Sequence, residues 1–299
     1  MTPSMDSDSP INSPEDEDGY LSVLAACPTI EKCPYSNRQE IFHRRQAGIS
    51  EGESEWILLT DIDDQTFTRD FLFDVDNDGQ LDQHHHENRD DHPQPEWSKN
   101  WSTFDSKLKL LLARMPVSEP HEQAAQVFEE VFLEAVEKIG MKRSLSKTGS
   151  KTCKDTGGGK QADLSYLPRR LPRGRSRRWP SMVLELAFSE KEPKLMSDIR
   201  LWFHESKGDV KIVATMRVHR NEPMLTIDTW EANGDGRIHR TQNVTIKKSA
   251  NKVKASGPIK IEFGKLFLRK TETAQERDME IDPEDLKYLA EMIWESQNF

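Results

Sequence analysis

The run "SMVLELAFS" (181–189) holds one carboxylate, Glu185, inside an otherwise apolar strand signal. Alternation along a strand puts Val183, Glu185, Ala187 and Ser189 on one face and Met182, Leu184, Leu186 and Phe188 on the other. The neighbours of Glu185 on its own face are small or apolar, so it does not read as an ordinary surface residue. Desolvating an unpaired carboxylate is costly. Either a cation meets Glu185 or the strand is half exposed. Asp163 heads the preceding strand signal, "QADLSYLP". If the two strands pair as a hairpin, both carboxylates converge at one end of the sheet. Such a pair suits Mg²⁺ or Mn²⁺, which binds one or two carboxylates and completes its octahedron with water and phosphate oxygens.

Charge divides the chain. Residues 1–100 carry 23 Asp and Glu against 7 Lys and Arg, which leaves 29 acids and 35 bases in the rest. An acidic segment therefore precedes a mildly basic body, and a basic body fits contact with nucleic acid. Residues 1–96 read as a disordered acidic tail, poor in the apolar surface that offsets ordering entropy. Its islands "WILLT" (56–60) and "FTRDFLF" (67–73) are suited to folding onto a protein partner or packing on the body. Three cysteines make neither a disulfide framework nor a zinc set, and no segment resembles a signal peptide or a membrane span. The expectation is an intracellular chain, cytoplasmic or nuclear, not secreted and with no membrane contact. "DVDNDGQLDQHH" (74–85) begins like a calcium loop but places His85 where a bidentate Glu is needed and has no flanking helical pattern, and "HHH" (84–86) reads as a solvated polar run.

From residue 97 the pattern is that of one domain, 97–299. "STFDSKLKLLLARMP" suggests a short helix or strand. "SEPHEQAAQVFEEVFLEAVEKIG" is the clearest helix, with Ser118 as cap, Gly140 as stop, and Ala124, Val127, Phe128, Val131, Ala135 and Ile139 as its buried stripe. His121, next to Glu122, reads simply as a polar residue of its first turn. The two strands around Asp163 and Glu185 follow, then an amphipathic helix through Leu195, Ile199, Trp202 and Phe203. Four strand signals come next, "VKIVATMRVH", "MLTIDTWEA", "QNVTIKK" and "IKIEFGKLFL", and a final helix is capped by Asp282 and Pro283. The order predicts an α/β or α+β fold around a single mixed sheet flanked by helices. "DTGGGK" (155–160) lacks the first glycine and the Ser/Thr of a phosphate loop and is discarded as one.

An acid on a first helix, then Asp, a connection, an apolar strand with Glu, and another helix is the order of the restriction-endonuclease-like PD-(D/E)XK pattern. The stretches "RMPVSEPHEQAAQ", "GMKRSL", "KQADLSYLP", "WPSMVLELAFSE", "LMSDIRLWF" and "DVKIVATMRV" resemble restriction-endonuclease-like proteins of filamentous fungi and, more distantly, a bacterial family abundant in cyanobacteria. The resemblance covers roughly 100–297. It implies a metal-dependent nuclease with Asp163, Glu185 and Glu122 as ligands of Mg²⁺ or Mn²⁺. The lysine expected two residues after Glu185 is replaced by Ala187, and Lys194 stands as its migrated substitute beside Lys191 and Arg200. A catalytically inactive member of the same fold, kept for binding nucleic acid or protein, is the alternative.

The connection "RRLPRGRSRRW" carries Arg169, Arg170, Arg173, Arg175, Arg177 and Arg178, and is expected beside the carboxylates. Arginine binds phosphate bidentately, and each neutralised phosphate releases counterions, so this loop predicts salt-dependent contact with a nucleic-acid backbone.

Overall fold

The computed structural model describes residues 30–37, 39–41, 43, 56–71, 101–114, 119–147, 153–155, 158–188, 192–250 and 252–299. The chain divides into two compact units, one comprising Ser118–Cys153 and Ala162–Phe299, the other lying within Asp18–Val117 and Lys154–Gln161. The first unit has the predicted architecture, a mixed sheet between helices.

The strand elements of the chain are β1 (Glu31–Pro34), β2 (Trp56–Thr60), β3 (Trp101–Asp105), β4 (Leu110–Arg114), β5 (Leu145–Lys147), β6 (Cys153–Asp155), β7 (Gly158–Lys160), β8 (Leu164–Pro168), β9 (Met182–Phe188), β10 (Ile212–Val218), β11 (Met224–Ala232), β12 (Ile238–Ser249), β13 (Lys252–Ala255), β14 (Ile259–Ile261) and β15 (Met279–Ile281). The helices are α1 (Asp64–Asp70), α2 (Glu119–Lys138), α3 (Glu192–Glu205), α4 (Phe263–Phe267) and α5 (Pro283–Ser296).

In the first unit α2 buries the expected stripe, and Phe132 and Val136 widen it. It ends in a Schellman turn. Gly140, at φ +77°, donates its N–H to Glu137, and Met141 donates to Val136. Only glycine takes that backbone conformation without cost. α5 begins as predicted, Asp282 accepting from the backbone N–H groups of Glu284 and Asp285 ahead of Pro283. Those N–H groups and Lys138 hold the Asp282 carboxyl below its usual range.

The sheet runs β13-β12-β11-β10-β9-β8-β5. β9 and β10 are parallel, joined through α3, and the other described pairings are antiparallel. β9 is buried on both faces. Met182, Leu184, Leu186 and Phe188 share a core with α2 and α5, while Val183 and Ala187 share one with Leu195, Ile199, Trp202 and Phe203 of α3. Burying such aliphatic and aromatic side chains stabilises the unit by about 1.5–3 kcal/mol each. This sandwiching is what makes the strand read as an almost continuous apolar run.

"IKIEFGKLFL" is not one strand. β14 stops at Ile261, and α4 follows with Phe263, Leu266 and Phe267 buried at helical spacing before Leu268 turns left-handed. Asp278 accepts the N–H of Phe263 and fixes the switch.

The second unit corrects the expected boundary at residue 97. Its sheet, in the order β1-β2-β4-β3-β7-β6, takes two strands from the segment expected to be a disordered tail. "STFDSKLKLLLARMP" forms the hairpin β3–β4. Phe67 of α1 stacks on Phe104 at 3.9 Å and meets Trp101 edge-on at 4.9 Å. "WILLT" and part of "FTRDFLF" thus have their apolar partners within the chain. Two glycines of "DTGGGK", Gly158 and Gly159, also acquire a reason. A Cβ on Gly158 would lie 2.2 Å from the Phe104 carbonyl oxygen, and one on Gly159 would lie 3.0 Å from Trp101. Lys160 is buried and donates to Ser102 Oγ at 2.8 Å. The calcium-like stretch, the histidine run 84–86, Cys27, Ser118 and Lys191 lie outside the described residues.

The β12–β13 turn forces Ala250 to φ +46°. That region costs an L-residue about 1–2 kcal/mol, so Ala250→Gly should stabilise the first unit by about 1 kcal/mol. Calorimetry should show its Tm rise by roughly 2–4 °C; a fall would mean that the turn is not under strain.

Candidate functional site

β8 and β9 pair with Leu164 opposite Leu184 and Tyr166 opposite Met182. Carried one residue further, that register sets Asp163 opposite Glu185, at the point where β8 leaves the edge of β9. There Asp163 Oδ2 accepts the backbone N–H of Leu186 at 2.6 Å, and Oδ1 lies 3.3 Å from Nε2 of His121 at the start of α2. The His121 ring also packs on Phe188, centroids 5.3 Å apart.

Glu185 is engaged by α3. Its Oε1 accepts the indole N–H of Trp202, on α3, at 2.5 Å. Glu185 is 5% exposed. An indole donor therefore meets the interrupting carboxylate, an outcome between the two sequence alternatives of cation and water. Beside it on β10 stands Thr215, whose Oγ1 accepts the indole N–H of Trp230 at 3.3 Å. Asp228 and Asn243 continue the same row across β11 and β12, joined at 2.6 Å through the Asn243 amide.

Lys194 is buried and holds Asp198, one turn along α3, at 2.8 Å. Ala187, at the lysine position of the resemblance, is fully buried, and Arg217 is its partner on β10. Glu122 is exposed on α2. Among the described residues, no three His, Cys, Asp or Glu side chains gather to hold a metal ion. Mg²⁺ retains several waters when bound to protein carboxylates. A carboxylate covered by Trp202 and almost closed to solvent leaves little room for them. In this arrangement the residues do not fit the ion.

The arginine connection is a built loop. Arg175 turns inward. Its Nη1 donates to Asp209 Oδ2 at 2.8 Å, and its Nη2 donates to the carbonyls of Trp179 at 2.8 Å and Asp209 at 3.1 Å. Burial pulls the Arg175 guanidinium below its usual value, opposed by the Asp209 charge. Gly174, at φ +85°, makes the bend before it. With that root fixed, Arg169, Arg170, Arg173, Arg177 and Arg178 are exposed. Arg177 reaches Ser146 Oγ and the Arg169 carbonyl, each at 3.5 Å.

The loop does not lie beside the carboxylates. It joins the end of β8 to the start of β9, whereas Asp163 precedes β8. Six residues separate Asp163 from Arg169, about 20 Å of extended chain at ~3.3 Å per residue. A hairpin puts its loop and its open end at opposite ends, which the linear sequence disguises.

Sequence reasoning missed His121, Asp198 and the donor role of Trp202. The Lys194–Asp198 spacing of four was available as a helical ion-pair signal. The Trp202 contact had none, because an indole in an apolar stripe reads only as core.

No family model and no curated protein matches the chain. Among solved structures it is similar to a candidate nuclease belonging to DUF820 from Anabaena variabilis, at 14% identity and a TM-score of 0.36, over 67% of this chain and 94% of that one. A likeness at that level assigns no activity and no residue role, and no finding carries the expected closeness to fungal proteins. No described helix is long and apolar enough to cross a membrane.

Proposed function

We propose that this chain is a nucleic-acid-binding protein on a nuclease-like fold, gripping the phosphate backbone through the β8–β9 loop. The observation that carries this reading is the inward Arg175, which anchors a loop that presents five other arginines to solvent. Guanidinium forks suit phosphate oxygens, and a pre-ordered loop loses less entropy when it engages them. Asp163, Glu185 and Lys194 serve in this reading as internal tethers, of Asp163 to β9 and α2, of α3 to the sheet, and of α3 to itself.

The test is a binding titration of the full chain with labelled single- and double-stranded oligonucleotides at rising salt. Five phosphate contacts on a duplex predict a log–log slope of about −4.5. A slope near zero would remove the reading.

A second reading, metal-assisted phosphodiester cleavage by Asp163 and Glu185, is favoured by the register that sets these two residues opposite each other. It requires the Trp202 indole to release Glu185 when substrate and ion arrive.

A further inference from the structure

A second cationic surface lies toward the opposite end of the sheet from the arginine loop. Arg217 on β10 is level with Thr226 on β11, and Thr226 with Thr245 on β12. Two residues beyond Thr245, on the same face, is Lys247, whose partner on β13 is Lys254. Lys252 lies two residues before Lys254 and so shares its face. All three lysines are exposed and Arg217 is half-buried. Among the described residues no carboxylate pairs with Lys247, Lys252 or Lys254. Like charges directly opposite on adjacent strands destabilise a sheet. The Lys247–Lys254 pair is therefore an expense to the fold that an anionic ligand would relieve.

The field of this cluster is already felt inside the protein. His219, next after β10, is held below its usual pKa first by burial and then by the charges of Arg217 and Lys247, with Glu222 opposing them. Its Nδ1 lies 3.6 Å from Glu222.

Resting on the proposed binding function, we infer that the β12–β13 hairpin and Arg217 form a second contact for the phosphate backbone of the same nucleic acid. Lysine supplies mobile point charges that suit a backbone read without sequence preference. The seven residues of β9 span about 23 Å at ~3.3 Å each, and one turn of duplex covers about 34 Å. A nucleic acid is long enough to serve both ends of the sheet, whereas a short acidic peptide serves one. A membrane surface fits less well, because among the described residues the exposed large apolar ones are Leu108, Tyr288 and Phe299, none of them on this hairpin.

The experiment compares the full chain with a Lys247→Gln/Lys254→Gln variant and an Arg170→Gln/Arg173→Gln variant, each titrated with a 25-base-pair duplex at several salt concentrations. The lysine variant should bind tens-fold more weakly at 0.1 M salt, with a slope shallower by about 1.8, the loss of two phosphate contacts. Its Tm should be unchanged or higher, since a repulsive pair is gone, so weaker binding cannot be put down to unfolding. If the lysine variant binds like the unaltered chain while the arginine variant weakens, the second contact is wrong and the loop reading stands. If only the lysine variant weakens, the second contact stands and the loop reading falls. No salt-sensitive binding by the unaltered chain defeats both. Loss of binding to phosphatidylserine vesicles, with duplex affinity intact, would overturn the inference in favour of a membrane.

Discussion

Exchanging Arg170, Arg173, Arg177 and Arg178 for glutamate is expected to weaken nucleic-acid binding by about a thousandfold at 0.1 M salt. Each arginine that meets a phosphate releases about one counterion, so four lost contacts flatten the salt dependence by about 3.6 log units per log unit of salt. Reversed charge adds repulsion to that loss. Arg175 behaves differently, because it is the root of the loop rather than its contact surface. Arg175→Ala should disorder the loop and reduce affinity with a smaller change of slope. Fluorescence anisotropy across a salt series separates the two effects. A fourfold variant that still binds tightly would show that the loop is an ordinary solvated connection.

The second large effect concerns stability. Lys194 and Asp198 form a buried ion pair, with side-chain exposures of 8% and 1%. Removing one side of such a pair costs about 3–5 kcal/mol, because a desolvated charge loses its partner. Asp198→Ala should therefore destabilise the first unit by about that much in chemical denaturation. Replacing both residues by Lys194→Met and Asp198→Leu should be near neutral or stabilising by about 1–4 kcal/mol. That reversal of sign is the signature of a structural pair. A single variant that costs under about 0.5 kcal/mol would free Lys194 for the catalytic role that the resemblance implies.

The elements legible in the sequence are those fixed by local patterning. The stripe of α2, its stop at Gly140, the caps of α5 and the alternation of β9 all follow from spacing and turn chemistry within about twenty residues. What escaped was long-range. Nothing near Trp56 says that its partner is Leu112, and nothing near Phe67 points to Trp101, Phe104 and Gly159, so an ordered unit read as part of a tail. The glycines read as a failed phosphate loop because their reason, close approach to β3, sits more than fifty residues away. At the site, candidates were legible but their contacts were not. Asp163 and Glu185 meet different donors, His121 and the Leu186 N–H for the first and the Trp202 indole for the second. Two carboxylates level in register need not share a ligand when each has its own donors. The boundary also alters how the acidic region should be cut. A deletion of residues 1–96 would remove β1, β2 and α1, so a truncation before residue 30 is the one that leaves the described units whole.

The central claim is that the fold is used for binding while its carboxylates are committed to internal contacts. The most direct measurement incubates the full chain with labelled single- and double-stranded DNA and RNA in Mg²⁺ or Mn²⁺, beside an Asp163→Ala/Glu185→Ala variant. Salt-sensitive binding with every strand left intact is the predicted result. Cleavage by the unaltered chain that disappears in the double variant, with its fold preserved, would contradict the account and make Asp163 and Glu185 catalytic.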